Sequence, residues 1–158
     1  MAIGPTRPTM TAAQNVIAEI GTDMDRFPTA AHLASWARLC PGNNKSAGKR
    51  HGGRMTDGNR FLKSTLTQCA WAASRKKDSY FSAQHRRIAS RRGIKRATMA
   101  VAHTQLCICW ELLKHGQCYQ DLGRDYFDHL NEDRVKRQMV KRLEKLGYEV
   151  KMEKKDVS

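Results

Sequence analysis

Along this chain apolar residues recur at three- and four-residue spacing in block after block, the period of helices with one buried face. The first block runs from Thr11, placed to cap it, through Ile20 to a stop at Gly21. Pro28 and Thr29 open a second helix that buries Leu33 and Trp36, and Pro41 forbids its continuation. From about Asn59 the positions Phe61, Leu62, Leu66, Cys69, Ala70 and Ala73 predict a third helix, with Arg60 and Lys63 near its start. Tyr80 to Arg92 predicts a fourth, with Phe81, Ile88 and Ala89 inward, Gln84, Arg87 and Arg91 outward, and Gly93 closing it. Ile94 to Leu113 is apolar on nearly every side, through Ala97, Val101, Ala102, Leu106, Ile108, Trp110 and Leu112, which predicts the central buried helix, ended by Gly116. Past a connector holding Tyr119, Tyr126 and Phe127, Asn131 caps a last amphipathic helix with Val135, Met139, Val140, Leu143 and Leu146 inward. Gly147 ends it, and Tyr148, Val150 and Met152 alternate as a short strand or an extended tail. The expected fold is all-α, one compact helical domain over 11–152, with an atypical or disordered start at 1–10 and fraying at 153–158.

Composition adds a partner class to that outline. The 158 residues, 40% of them hydrophobic, suffice for one compact domain. No run approaches the roughly 20 apolar residues that span a bilayer, and Met1 to Met10 lacks the pattern of a signal peptide, so no membrane partner and a cytoplasmic location are expected. The five cysteines, Cys40, Cys69, Cys107, Cys109 and Cys118, have no paired spacing and read as small core residues of a reducing compartment. The net charge of +14 is uneven: Lys45 to Arg96 holds fifteen Lys/Arg against two acids, Asp57 and Asp78. Charge gathered in this way suits a polyanion, DNA or RNA.

Inside the basic block lies a Gly-rich loop from Cys40 to Arg54, with Ser46 its only hydroxyl side chain. Lys45, Lys49, Arg50 and Arg54 surround Ser46, and Gly42, Gly48, Gly52 and Gly53 free the backbone to fold against a phosphate. A serine there is suited to attack a phosphodiester, the cations neutralising charge that grows on the phosphoryl oxygens. The same residues equally suit a turn or simple phosphate binding. His51 is a candidate base for Ser46 or one more phosphate-facing group. Arg60, Lys63, Arg86, Arg87, Arg91, Arg92, Lys95 and Arg96 form a candidate nucleic-acid track. His85 and His103 have no carboxylate cluster beside them, which argues against a self-contained metal site. Trp71 and Tyr80 stand at helix-period positions that favour the core over stacking on bases.

An ordered series of segments carries a family resemblance: Ile17-Ala-Glu-Ile-Gly21, Arg26-Phe-Pro, His32-Leu-Ala-Ser-Trp36, Cys40-Pro-Gly-Asn-Asn, Ser46-Ala-Gly-Lys-Arg50, Gly58-Asn-Arg-Phe-Leu62, Ala70-Trp-Ala-Ala73, Ala100-Val-Ala-His103 and Leu122-Gly-x-Asp-Tyr-Phe127. From about Ile17 to Val150 the chain resembles the C-terminal domain of the insertion-sequence "one-ten" transposases, DEDD-type, bridge-RNA-guided recombinases of bacterial mobile elements. The resemblance implies that Ser46, in its Ser-x-Gly context, is the nucleophile that becomes linked to DNA through a phosphate, and that Lys45, Lys49, Arg50 and Arg54 clamp the reacting group. It implies DNA and a guide RNA as partners, self-association or pairing with a full-length transposase, and a prokaryotic, nucleoid-associated setting. No cofactor is expected in this chain: the four acids that bind Mg²⁺ belong to an N-terminal ribonuclease-H-like domain, absent here, without which the fragment is not expected to be catalytically competent. The alternative is a non-catalytic DNA- or RNA-binding remnant, or a regulator of a full-length transposase.

Overall fold

In a computed structural model, which describes residues 10–40 and 58–153 and the backbone of 45, 46, 49 and 50, the polypeptide divides into two compact units, 1–124 and 125–158. Seven α-helices and one two-residue ladder are found among the described residues. The all-α expectation therefore holds.

In the first unit, α1 (Met10–Ile20) starts one residue before Thr11, so Thr11 sits in the first turn and does not cap it. The helix closes where Gly21 donates its amide to the Ile17 carbonyl at 2.8 Å. Asp23 caps a 3₁₀ turn at Met24–Arg26, and the Thr29 hydroxyl accepts the His32 amide at 3.4 Å to open α2 (Ala30–Trp36). Leu33 and Ala34 of α2 are fully buried. Trp36 is not, contrary to the pattern: it is 46% exposed, because it lies roughly 100° around the helix from the direction shared by Leu33, Ala34 and Ala37. Its ring lies 5.5 Å from that of Phe27.

Three long helices follow, α3 (Arg60–Arg75), α4 (Tyr80–Arg92) and α5 (Ile94–His115). In α3, Leu62, Leu66 and Ala70 face the core and Cys69 and Ala73 are half-buried. Phe61, expected inward, is 76% exposed, since neighbours on a helix point about 100° apart and Leu62 takes the inward direction. The Ser79 hydroxyl accepts the Ser82 amide to cap α4, and Gly93 alone joins α4 to α5, at a φ of 82° that an L side chain adopts only under strain. Phe81, Ile88 and Ala89 are half-buried, as is Gln84, which was expected outside. Its amide is drawn in by a 2.8 Å bond to the Thr104 hydroxyl.

The central position of α5 is borne out. Ala97, Val101, Ala102 and Leu106 have no exposed surface, and Val101, Ala102 and Leu106 pack in one core with Ile20, Leu33, Leu62, Leu66 and Ala70. Each fully buried leucine or valine contributes about 1.5–3 kcal/mol. Trp110 pins the far half of the helix by donating its indole N–H to the Phe27 carbonyl at 3.0 Å. Ile94, at the exposed start, and half-buried Ile108 and Leu112 depart from the all-round apolar reading. All five cysteines are free thiols, four half-buried and Cys118 exposed.

In the second unit, α6 (Tyr126–Leu130) and α7 (Glu132–Glu144) form a short pair. Asn131 precedes α7 and accepts the Arg134 and Val135 amides through its carbonyl, but its side chain makes no cap, correcting the expected one. Val135 and Val140 are half-buried, whereas Met139, Leu143 and Leu146 are exposed, because two short helices offer too little surface to cover that stripe. The Leu143 carbonyl accepts the Tyr148 amide at 3.2 Å beyond Gly147. No strand forms at 148–153, for no ladder partner lies beside it among the described residues, and the strand alternative is set aside. Among the described residues no helix is long and apolar enough to cross a membrane.

Aspartate at Val101 places an unpaired charge in a site with no exposed surface, at a cost of several kcal/mol. Val101→Asp is expected to abolish the cooperative thermal transition in circular dichroism; a cooperatively melting variant would refute the burial of α5.

Candidate nucleic-acid interface

Two tethers hold the ends of the basic loop side by side. At its entry the chain passes through Arg38, in the left-handed region at φ 53°, to buried Leu39, whose amide bonds the Ala34 carbonyl at 3.0 Å. The Cys40 sulfur then lies 3.8 Å from His103 Nε2, and Cys107 approaches the same imidazole at 3.8 Å from Nδ1. Burial pushes the His103 pKa down and the Cys107 thiol up, so imidazole and thiol meet as neutral groups. At its exit Gly58 presses on the turn after α2: a Cβ there would stand 2.7 Å from the Ala37 carbonyl oxygen and 2.8 Å from Arg38 Cβ. Only glycine fits that approach without displacement. Asn59 completes the anchor, accepting the Leu62 amide at 3.0 Å to cap α3 while its amide group donates to Glu19.

Between the tethers, β1 (Lys45–Ser46) and β2 (Lys49–Arg50) pair antiparallel, with Lys45 opposite Arg50 and Ser46 opposite Lys49. The structure thus places the backbone of four candidate residues in one small ladder. Arg54 and His51 lie outside the described residues.

The helical candidates gather by topology. Trp71 of α3 lies beside His85 of α4, with ring centroids 6.2 Å apart, and Thr67 of α3 reaches Met99 of α5 at 3.7 Å. Gln84 and His85 of α4 bond Thr104 and Thr98 of α5 at 2.8 and 3.2 Å. These pairs make α4 antiparallel to both neighbours, so the start of α3, the end of α4 and the start of α5 occupy one end of the bundle. Arg60 and Lys63, Arg91 and Arg92, and Lys95 and Arg96 therefore come together there, all exposed except half-buried Lys63. Exposed Arg86 and half-buried Arg87 stand back along α4. Glu19, bonded to Asn59, is the acid tied to this end.

The opposite end pairs its acids with some of its bases. Asp78 pairs with Arg124 at 2.9 Å, and Asp121 lies 3.8 Å from Lys76 and accepts the Tyr80 amide at 2.9 Å. Asp25 bonds Lys114, whose ammonium holds that carboxyl below its ordinary value. Ion pairing at one end leaves the positive excess of α3 to α5 concentrated at the other.

Trp71 overturns its core expectation: 41% of it is exposed, with the Arg75 guanidinium 5.7 Å from the ring centroid. Tyr80 is half-buried, edge-on to Phe81 at 5.6 Å. Gly58 had appeared only as part of a motif segment, Cys40 as a core thiol at the start of the loop and His103 as a histidine without metal partners; their tethering roles depend on contacts between distant segments. Among the described residues no group of three or more His, Cys, Asp or Glu can hold a metal ion. The donor set described here does not fit Mg²⁺.

A model of the Transposase IS116/IS110/IS902 family matches residues 9–86. No curated protein and no solved structure matches the chain. The matched stretch takes in α1, α2, the anchored loop, α3 and the first half of α4.

Gly58→Ala forces the Ala37–Arg38 turn or the start of α3 to move, an overpacking cost of about 1–3 kcal/mol. A lowered melting temperature is expected, together with faster proteolysis between Cys40 and Gly58; unchanged stability and cleavage would mean that the loop does not depend on this closure.

Proposed function

We propose, on the premise that residues 9–86 form a domain of the Transposase IS116/IS110/IS902 family, that this chain grips DNA through its basic bundle end and presents Ser46 to a phosphodiester. The family assignment carries a role in DNA transposition or recombination; the serine step, a guide RNA and self-association are the finer parts of the proposal. The observation supporting it most directly is the shared root of the two features. Gly58 and Asn59 close the loop carrying Ser46, and Arg60 follows as the first residue of α3 at the basic end.

In the proposed step Ser46 Oγ attacks phosphorus. A bond from Oγ to phosphorus forms, the bond from phosphorus to the leaving deoxyribose oxygen breaks, the serine proton passes to a base, and the departing oxygen gains a proton. Lys45, Lys49, Arg50 and Arg54 stabilise charge on the non-bridging oxygens. Arg60, Lys63, Arg91, Arg92, Lys95 and Arg96 hold flanking phosphates, with Arg86 and Arg87 extending the track. A serine hydroxyl is a weak nucleophile at neutral pH, and the described residues include no acid cluster to assist it. Without an acid-bearing domain to complete the chemistry, these residues are therefore expected to bind without cutting, in a cytoplasmic, nucleoid-associated setting.

Binding and chemistry are tested apart. Log affinity for duplex DNA should fall by about 0.9 per log unit of salt for each phosphate contacted, and replacing Arg91, Arg92, Lys95 and Arg96 by alanine should flatten the slope. An affinity independent of salt would remove the polyanion reading. With the acid-bearing domain, guide RNA and divalent cation of an intact relative supplied in trans, a covalent protein–DNA adduct is expected on a denaturing gel. Ser46→Ala should abolish that adduct and nearly retain binding; an adduct surviving the substitution would take Ser46 out of the mechanism.

A further inference from the structure

We propose that Trp71 is a stacking platform for an unpaired nucleobase, so that the surface of α3 engages single-stranded nucleic acid. This rests on the reading of the chain as a polyanion binder and is independent of the role given to Ser46.

A tryptophan on a helix spaced for core packing is ordinarily covered, yet Trp71 leaves 41% of its surface in solvent while Leu66 and Ala70 on the same helix are sealed. Its surroundings match what a base needs. The Arg75 guanidinium, one turn on, lies 5.7 Å from the ring centroid, and a cation over an indole is held by the ring quadrupole while remaining available to a phosphate. Ala72, exposed beside the indole, has too little bulk to block a planar ring. Gln68, exposed one turn before, offers an amide that can donate to or accept from a base edge.

The indole is also held from behind. His85 lies 6.2 Å from it, tilted at 45°. The buried Thr98 hydroxyl donates to the Ile94 carbonyl at 3.0 Å, so at 3.2 Å it accepts from His85 Nε2 and fixes that imidazole's tautomer and orientation. The platform thus rests on α4 and α5 as well as on its own helix, and little rotamer freedom remains to be lost on stacking.

Charge complementarity chooses the occupant. An apolar partner would meet Arg75, Lys76 and Lys77 here, while Asp78 is engaged by Arg124 at 2.9 Å and Asp121 lies 3.8 Å from Lys76, so the bases beside the indole outnumber the acids. A polyanion is favoured by the same groups. Duplex DNA hides its base faces in the stack, so an exposed indole selects a strand whose bases are open. Arg60 at the basic end lies about 16 Å from Trp71 along the helix axis, at 1.5 Å per residue. A strand gripped at the basic end can therefore run along α3 to the indole within a few nucleotides.

The test uses the full chain with Trp36 replaced by phenylalanine, which leaves Trp71 and buried Trp110 as the emitting indoles. Short oligothymidylate is expected to quench the fluorescence. Trp71→Ala should weaken oligothymidylate binding roughly tenfold and hardly change the affinity for a duplex, and Trp71→Phe should keep most of the single-strand affinity. An abasic strand of equal length should bind the unsubstituted chain as weakly as oligothymidylate binds Trp71→Ala. Equal losses on strand and duplex, or no loss on either, would overturn the platform. If no nucleic acid binds even at low salt, the polyanion reading falls and the platform with it; if the duplex binds with its salt slope intact and Trp71→Ala leaves oligothymidylate unaffected, the platform falls alone.

Discussion

The close approach of α5 to three other helices is the constraint on which the first unit depends. Small and mid-sized side chains are sealed there: Val101 and Ala102 of α5 share one core with Ala70 of α3, and Ala97 of α5 and Ala34 of α2 are also buried. Small residues allow helix axes to come to the near limit of the usual 8–10 Å, and a methyl group too many at any of them would push a neighbour away. This packing does more than bury surface. With α4 antiparallel to α3 and α5, the two helix starts and the intervening helix end come to one side, and basic residues as far apart in the chain as Arg60 and Arg96 come with them.

That arrangement has an electrostatic cost as well as a use. Gathering Arg60, Lys63, Arg91, Arg92, Lys95 and Arg96 raises self-repulsion in the folded state, and the starts of α3 and α5 add partial positive charge from their dipoles. The end of α4 offsets part of this with its carbonyls. The core must carry the remainder, and it can: Leu33, Leu62, Leu66 and Leu106, each at most 2% exposed, supply burial that outweighs surface repulsions of a few tenths of a kcal/mol per pair. Acids placed nearer would have relieved the strain. Among the described residues Asp78, Asp121 and Asp25 stand instead at the other end, and Glu19 is the acid tied to the basic one.

Much of the outline was legible because it is written in local signals. Gly21, Gly93 and Gly116 stop their helices through backbone conformations that any reader of the chain can anticipate, and Val101 and Leu106 announce α5 by their spacing. The failures share a cause. Phe61, Trp36 and Trp71 are large apolar residues lying beside, not on, the inward direction of their helices, and helix-period spacing with apolar character drew them into the expected core. In α7 the stripe of Met139, Leu143 and Leu146 was read as inward because the period is correct; periodicity shows which residues share a face, not whether anything covers it. In the candidate site, the serine, the glycines and the charges were visible as a cluster in sequence. The closure by Gly58, and His103 holding Cys40, required knowing that α2, α3 and α5 meet.

The two tethers bear on how a loop rich in glycine can serve the proposed reaction. Glycines release the backbone, which lowers steric barriers to a close approach but raises the entropy lost whenever the loop adopts one shape. Fixing both ends removes the loop-closure part of that loss in advance, since the chain between Cys40 and Gly58 need not find its own return path. The ladder from Ser46 to Lys49 removes more, by setting the serine opposite a cation-bearing residue through backbone bonds, independent of any bound ligand. In the function proposed above, the remaining cost of ordering falls on binding, where the charges of Lys45, Lys49, Arg50 and Arg54 offset it.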